Sequence, residues 1–136
     1  MIFKLEIFDF IQRKRKDIWT KYYHLTEEFE AKELLVRPNY EKVGVHAYHN
    51  FYFLLNNHDD RQDLLNFLKE QGIFAVSHYE PLHSSKAGKK YGKAYEDLRN
   101  TELLAKKIIR LPFHPSISSE QQDFIYEKLK KYLKLL

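Results

Sequence analysis

The sequence predicts a small α/β fold, an α+β sandwich in which a mainly antiparallel sheet of three or four strands is packed with helices. Three observations predict it. Amphipathic helical patterns stand at both ends of the chain, short β-branched and aromatic runs stand between them, and turn-forming residues separate the runs. With 136 residues the chain can bury one core but not comfortably two, so a single domain over 1–136 is expected.

Near the N-terminus Ile7, Phe8, Ile11, Ile18, Trp19 and Tyr22 recur at helical spacing with lysines and arginines opposite, which predicts a helix to about Leu25. No capping Ser, Thr or Asp precedes it, as expected of a helix that the chain enters midway. Glu33 to Val36 is a strand candidate closed by Arg37-Pro38-Asn39, where proline and asparagine favour a turn. Val43 to Leu55 reads as a long strand rich in valine, tyrosine and phenylalanine. Asn57, His58 and Asp59 offer caps for a helix through Leu64, Leu65, Phe67 and Leu68, with Gly72 as its stop. Ile73 to Val76 then predicts a short strand.

From Ser77 to Arg99 periodicity fades into a segment dense in His, Tyr, Ser, Gly and Lys, with Pro81 inside it. Loops of that length in compact domains tend to carry function, and this one has room for one short helix. A helix from about Asn100 to Lys107 and a strand from Ile108 to Leu111, ended by Pro112, should follow. Ser118 with Gln121 three residues on makes a capping box, and Phe124, Ile125, Leu129, Tyr132, Leu133 and Leu136 form the stripe of a last helix. There is no internal repeat or low-complexity tract.

The 43% of hydrophobic and 15% of aromatic residues supply core material and argue against disorder. The chain has no cysteine, which excludes disulfides and thiolate metal sites and suits a reducing cytoplasm. No apolar run reaches the length of a membrane span, and the first residues lack the order of a signal peptide, so no membrane partner is expected. A net charge of +4 attracts phosphates weakly, but 23 basic residues are offset by 19 acidic ones. The basic clusters Arg13 to Lys16, Lys86 to Lys90 and Lys128 to Lys134 therefore read as solvated faces rather than a nucleic-acid interface. The alternative function is a small basic α/β module binding nucleic acid through lysines and aromatics such as Tyr48, Tyr52 and Tyr91, or an interaction partner without activity.

Among groups that could do chemistry, His46 and His49 would point to opposite faces of one strand and could not share a metal. His78 and His83 bracket Tyr79-Glu80-Pro81-Leu82 without a third ligand, so no metal site is expected. His24, His58 and His114 read as partly buried, hydrogen-bonded rings. The acidic pairs Asp59-Asp60 and Glu27-Glu28 complement helix dipoles. No phosphate-binding glycine loop or nucleophile elbow is present. The histidine-bearing loop is the one place that the residues themselves mark for a ligand.

The stretch Asp60 to Ser85, and above all His78-Tyr79-Glu80-Pro81-Leu82-His83-Ser84, resembles the C-terminal small domain of the DegT/DnrJ-type sugar-nucleotide aminotransferases. Other matches keep the same order: Lys14-Arg15 with Ile18-Trp19 and Tyr22 is similar to the family's inter-domain helix (1–25). His49 to Tyr52 is similar to its His-x-Phe-Tyr strand, Ala87-Gly88 with Tyr91-Gly92 to its downstream loop, and Ile109 to Pro112 with Ser118 to Ile125 to its last strand and helix. Nearly the whole chain is covered.

The resemblance implies the small domain of a fold-type-I transferase dependent on pyridoxal phosphate, a homodimer with glutamate as amino donor. Within the family the likeness is greatest to enzymes that aminate dTDP-4-keto-6-deoxyglucose to dTDP-4-amino-4,6-dideoxygalactose. In such enzymes the cofactor carries the carbanion chemistry and the protein positions it. The Schiff-base lysine, the acidic partner of the pyridine nitrogen and most of the phosphate cup belong to a large domain whose sequence is not in this chain. The chain alone is thus expected to be inactive, and no catalytic residue is assigned. The small-domain wall carries over: His78, Tyr79, His83 and Ser84 face the sugar nucleotide or cofactor, joined by His49, with imidazole and hydroxyl groups suited to a diphosphate or sugar hydroxyls. The alternative is that these groups tie the loop to its own backbone. Ser77, Glu80, Lys86 and Asn50 depart from the family's usual residues, and Glu80 opposes an anionic contact at its own position.

Overall fold

The computed structural model of the protein describes residues 7–39, 46–57 and 60–134. Helix α1 (Phe8–Leu25) follows the predicted periodicity and buries Ile18, Trp19 and Tyr22. Ile7 and Phe8, on the same predicted stripe, stay exposed. Among the described residues no side chain caps the start of the helix. Thr26 ends it, with its buried hydroxyl donating to the Tyr22 carbonyl at 2.8 Å. The short α2 (Glu27–Ala31) begins on the acidic turn that the helix dipole favours.

Three strands, β1 (Leu35–Val36), β2 (Tyr52–Leu55) and β3 (Ile108–Arg110), form an antiparallel sheet in that order. Leu35 pairs with Leu55, and Phe53 with Ile109, and these four side chains are buried on one face. The alternate positions Tyr52 and Arg110 pair across the other, less buried face, as the period of a strand requires.

The long strand expected over 43–55 begins only at Tyr52. Residues 43–45 lie outside the described residues, and 46–51 form no strand. Tyr48 has a φ of 45°, which breaks extended backbone. The rings of Tyr48 and Phe51 instead pack edge-on against Trp19, at 5.7 and 5.5 Å. The strand expected over Ile73–Val76 shrinks to one bridge, Val76 with Arg110. Gly72, at φ 76°, ends helix α3 (Asp60–Glu70) in the left-handed conformation expected of a glycine stop, and the Ile73 N–H is spent on the Leu68 carbonyl at 2.8 Å. Ile73 has no donor left for a sheet.

After α4 (Lys86–Tyr91) and α5 (Arg99–Lys107) the last helix, α6 (Ser119–Leu133), carries the predicted capping box. Ser118 Oγ accepts from the Gln121 N–H at 3.2 Å, and Gln121 Oε1 accepts from the Ser118 N–H at 2.8 Å. Ile125, Leu129 and Leu133 are buried as expected, but Phe124 is 48% exposed and Leu136 lies outside the described residues. Gln122 occupies the buried place beside Ile125, where its Nε2 donates to the Ile18 carbonyl at 2.9 Å and satisfies itself against α1.

The core joins α1, α3 and α6 to the buried sheet face. Trp19 stacks on Tyr23 at 5.0 Å and Tyr22 on Phe51 at 5.3 Å. The Tyr22 hydroxyl donates to the Pro112 carbonyl at 3.0 Å, and burial pushes its pKa well up. His24 and His114 are exposed rather than partly buried, and His58 lies outside the described residues. Among the described residues no helix is long and apolar enough to cross a membrane.

Candidate functional site

The loop from Ser77 to Ser85 is pinned at both ends. At its start Val76 and Arg110 exchange two backbone hydrogen bonds, Val76 N–H to Arg110 at 3.0 Å and Arg110 N–H to Val76 at 2.8 Å. At its end the Pro81 carbonyl accepts from the N–H groups of Ser84 and Ser85 at 3.2 and 3.0 Å. Ser85 then caps α4, donating from its hydroxyl to the Leu82 carbonyl at 2.8 Å and accepting from the Gly88 N–H at 3.0 Å. A Cβ on Gly88 would lie 1.6 Å from the Leu82 oxygen, so only glycine lets the turn close on this helix.

Between these anchors His78 and Tyr79 are exposed, with their rings stacked at 4.7 Å and 11° from parallel. Tyr79 is 73% exposed. It borders a shallow depression of about 210 Å³ that also meets Arg61, Glu80, Glu102 and Lys106. Two cations and two carboxylates thus surround a ring face, a lining suited to a polar ligand with a planar or hydroxyl-rich part.

The other expected site residues fall elsewhere. His83 is half-buried, and its Nε2 lies 3.0 Å from Glu102 Oε1, a buried oxygen that otherwise finds no hydrogen-bond partner. The imidazole is therefore turned onto α5. The Ser84 hydroxyl donates to the Pro81 carbonyl at 3.3 Å and so ties the turn to its own backbone. His49 is exposed in the irregular segment before β2 and not on a strand. Its neighbour His46 packs on Trp19 and Tyr48, at 4.9 and 4.5 Å, and accepts the Tyr48 N–H at Nδ1 at 2.9 Å. Burial first, and the nearby His49 second, lower the pKa of His46.

The structure therefore brings His78 and Tyr79 together on the open side of the loop, sets His83 and Ser84 within its folded side, and leaves His49 apart. Arg61, Glu102, Lys106 and Arg110 were not foreseen. Arg110 left a signal, a charged residue in the otherwise apolar run Ile108–Leu111. Among the described residues no group of three or more His, Asp or Glu side chains could hold a metal ion.

A pyridoxal phosphate site needs a lysine enclosed beside an acidic partner for the ring nitrogen. No lysine among the described residues is buried. Lys21 is held by Ser119 and by Asp123 at 2.6 Å, and Lys107 donates to the Asn56 carbonyl at 2.9 Å. These residues do not fit the covalent cofactor site, and what they offer is one polar, ring-bearing wall.

The model of the DegT/DnrJ/EryC1/StrS aminotransferase family matches residues 1–130. The uncharacterized protein MJ1066 of Methanocaldococcus jannaschii is 33% identical over 89% of this chain and 32% of its own length. A dTDP-4-amino-4,6-dideoxy-D-glucose transaminase of Shigella dysenteriae is 26% identical over 71% of this chain and 26% of its own. The sugar aminotransferase Spr1654 of Streptococcus pneumoniae, solved in its PMP form, superposes with a TM-score of 0.85 at 22% identity over 98% of this chain and 33% of that one. The chain spans about a third of the length of such relatives. The fold, a small α/β domain with a three-stranded antiparallel sheet, is the one these aminotransferases share. With its fold and nearly its whole length matched, the chain belongs to the DegT/DnrJ/EryC1/StrS aminotransferase family.

Proposed function

We propose that this domain forms one wall of the active site of a nucleotide-sugar aminotransferase dependent on pyridoxal phosphate, with the cofactor held by a large domain beyond this chain. The observation that carries the reading is the exposed His78–Tyr79 ring pair on a loop anchored at both ends. A loop that only closed a fold would have no reason to hold two stacked rings in water.

The parent enzyme moves an amino group from glutamate to a 4-keto-6-deoxy nucleotide sugar, works as a homodimer in the cytoplasm, and draws its carbanion stabilisation from pyridoxal phosphate. The favoured substrate is dTDP-4-keto-6-deoxyglucose and the product dTDP-4-amino-4,6-dideoxygalactose, on the strength of the His-Tyr-x-Pro-Leu-His-Ser resemblance. The name of the Shigella dysenteriae relative supports a dTDP-linked 4-amino-4,6-dideoxy sugar, in the D-gluco form. In this reading His78 and Tyr79 present ring faces and donors to the sugar nucleotide, while His83 and Ser84 touch it from the folded side of the turn and His49 from its margin. The isolated chain is inactive, since no lysine among its described residues is enclosed.

The test is a titration of the ¹⁵N-labelled chain with dTDP-glucose. One wall of a site should bind weakly, in the millimolar range, since most of the contacts that offset the entropy of association are missing. Amide shifts confined to Ser77–Ser85 and its borders are expected. Shifts confined to the lysine and tyrosine surface around Lys86–Tyr95, fading with salt, would contradict the reading and favour a general phosphate-binding face.

A further inference from the structure

We propose that Arg110 is a positioning residue that holds the Tyr79 ring, and through it the His78 imidazole, in the orientation the loop presents to its ligand. This role rests on the ligand-facing reading of the loop, but its geometry stands on the chain alone. Arg110 is fixed by its backbone, paired across the sheet with Tyr52 on one side and with Val76, three residues before Tyr79, on the other. Because Ile109 and Leu111 turn into the core, strand alternation sends the Arg110 side chain to the opposite face.

There its guanidinium lies 5.3 Å from the centroid of the Tyr79 ring, the same ring that stacks on His78. Its Nε is buried and donates to no acceptor among the described residues, and no carboxylate among them lies within ion-pair distance. A guanidinium ordinarily seeks a carboxylate or carbonyl fork. Arg37 shows the ordinary case: it sits 4.1 Å from the Tyr23 ring, but its Nε meets Glu30 at 2.7 Å and its Nη1 donates to the Tyr23 carbonyl at 2.8 Å. Around Arg37 the ring contact accompanies an ion pair. Around Arg110 the ring is the partner, so the attraction between cation and π face sets where Tyr79 lies.

The test compares Arg110→Lys and Arg110→Met in the full 136-residue chain. The parent should show cross-relaxation between the Tyr79 and His78 ring protons and a ring-current shift at His78. Both signals should persist in reduced form in Arg110→Lys and vanish in Arg110→Met, while the Val76 and Arg110 amides stay protected from exchange in all three. Signals that survive in Arg110→Met, or that vanish only together with amide protection, would overturn the proposal, the second by making Arg110 a sheet-pairing residue and nothing more. Tyr79→Leu supplies the reciprocal check on an exposed side chain: the Arg110 Nε–H resonance should move, and an unmoved resonance would also overturn it. In the dTDP-glucose titration Arg110→Met should need several-fold more ligand for the same loop shifts, with part of the loss recovered in Arg110→Lys. An unchanged midpoint would overturn the role in presentation. Since the ring measurements contain no ligand, their failure is distinguishable from failure of the ligand reading itself.

Discussion

Trp19 and Tyr79 both sit in ring stacks, yet Trp19 is 2% exposed and Tyr79 is 73% exposed. Around Trp19 the rings of Tyr23, Tyr48 and Phe51 exclude water and join α1 to the segment leading into β2. Among the described residues, the Tyr79 ring meets the His78 ring and the Arg110 guanidinium. The same kind of contact therefore does two jobs. Burial makes the first cluster a source of stability, and exposure makes the second an available surface whose removal should leave the fold standing.

The largest effect that could break this contrast is on the core. Trp19→Ala should cost about 3 to 5 kcal/mol, the range for emptying a large aromatic from a packed interior, and urea unfolding would measure it. A loss below about 1 kcal/mol would mean that the Trp19 cluster is not the centre of the fold.

A smaller effect belongs to the end of the core helix. Ser118→Ala removes one half of the capping box on α6 and should cost about 1 kcal/mol in the same measurement. No cost would show that the α6 terminus frays in solution.

The smallest effects come from titration, and they share a sign. A hydrogen bond from Tyr126 first, with Lys130 and Lys32 nearby, holds Glu28 below its ordinary value near 4.5. Burial works to raise Glu30, but the Arg37 backbone N–H and guanidinium outweigh it and hold this carboxyl low as well. Burial, then His49, hold His46 below its ordinary value near 6.5. For each group the folded pKa lies below the unfolded one, so its contribution is complete above the unfolded value and is lost as the pH falls through the folded value. The urea midpoint should therefore drop in two stages on acidification, first below about pH 6.5 through His46 and then below about pH 4.5 through the carboxylates. A midpoint that rises as the solution is acidified would contradict these assignments.

How far the sequence foretold the fold depended on whether the signal was local. The Ser118–Gln121 box, the Gly72 stop and the stripe of Ile18, Trp19 and Tyr22 were legible because each rests on residues within one or two helical turns. Within the strand expected over 43–55, residues 46–51 misled because Tyr48 and Phe51 suit a sheet as well as a ring cluster, and the choice was made by Trp19 on a distant helix. Phe124 misled because Gln122 could satisfy its amide on the Ile18 carbonyl and take the inner position. At the candidate site the loop and its histidines were legible, His78 and Tyr79 through the motif they share with a family. Arg110, which meets the Tyr79 ring, and Glu102, which meets His83, were not, because both arrive from elements that follow the loop and nothing in local spacing pairs them with it.

The double variant His78→Ala/Tyr79→Ala tests most directly whether the exposed rings serve a ligand rather than the fold. Measured side by side with the parent, it should unfold within about 0.5 kcal/mol of it, as exposed substitutions do, and lose the loop's amide response to dTDP-glucose. A variant that unfolds as readily as Trp19→Ala, or that still responds at Ser77–Ser85, would contradict the account.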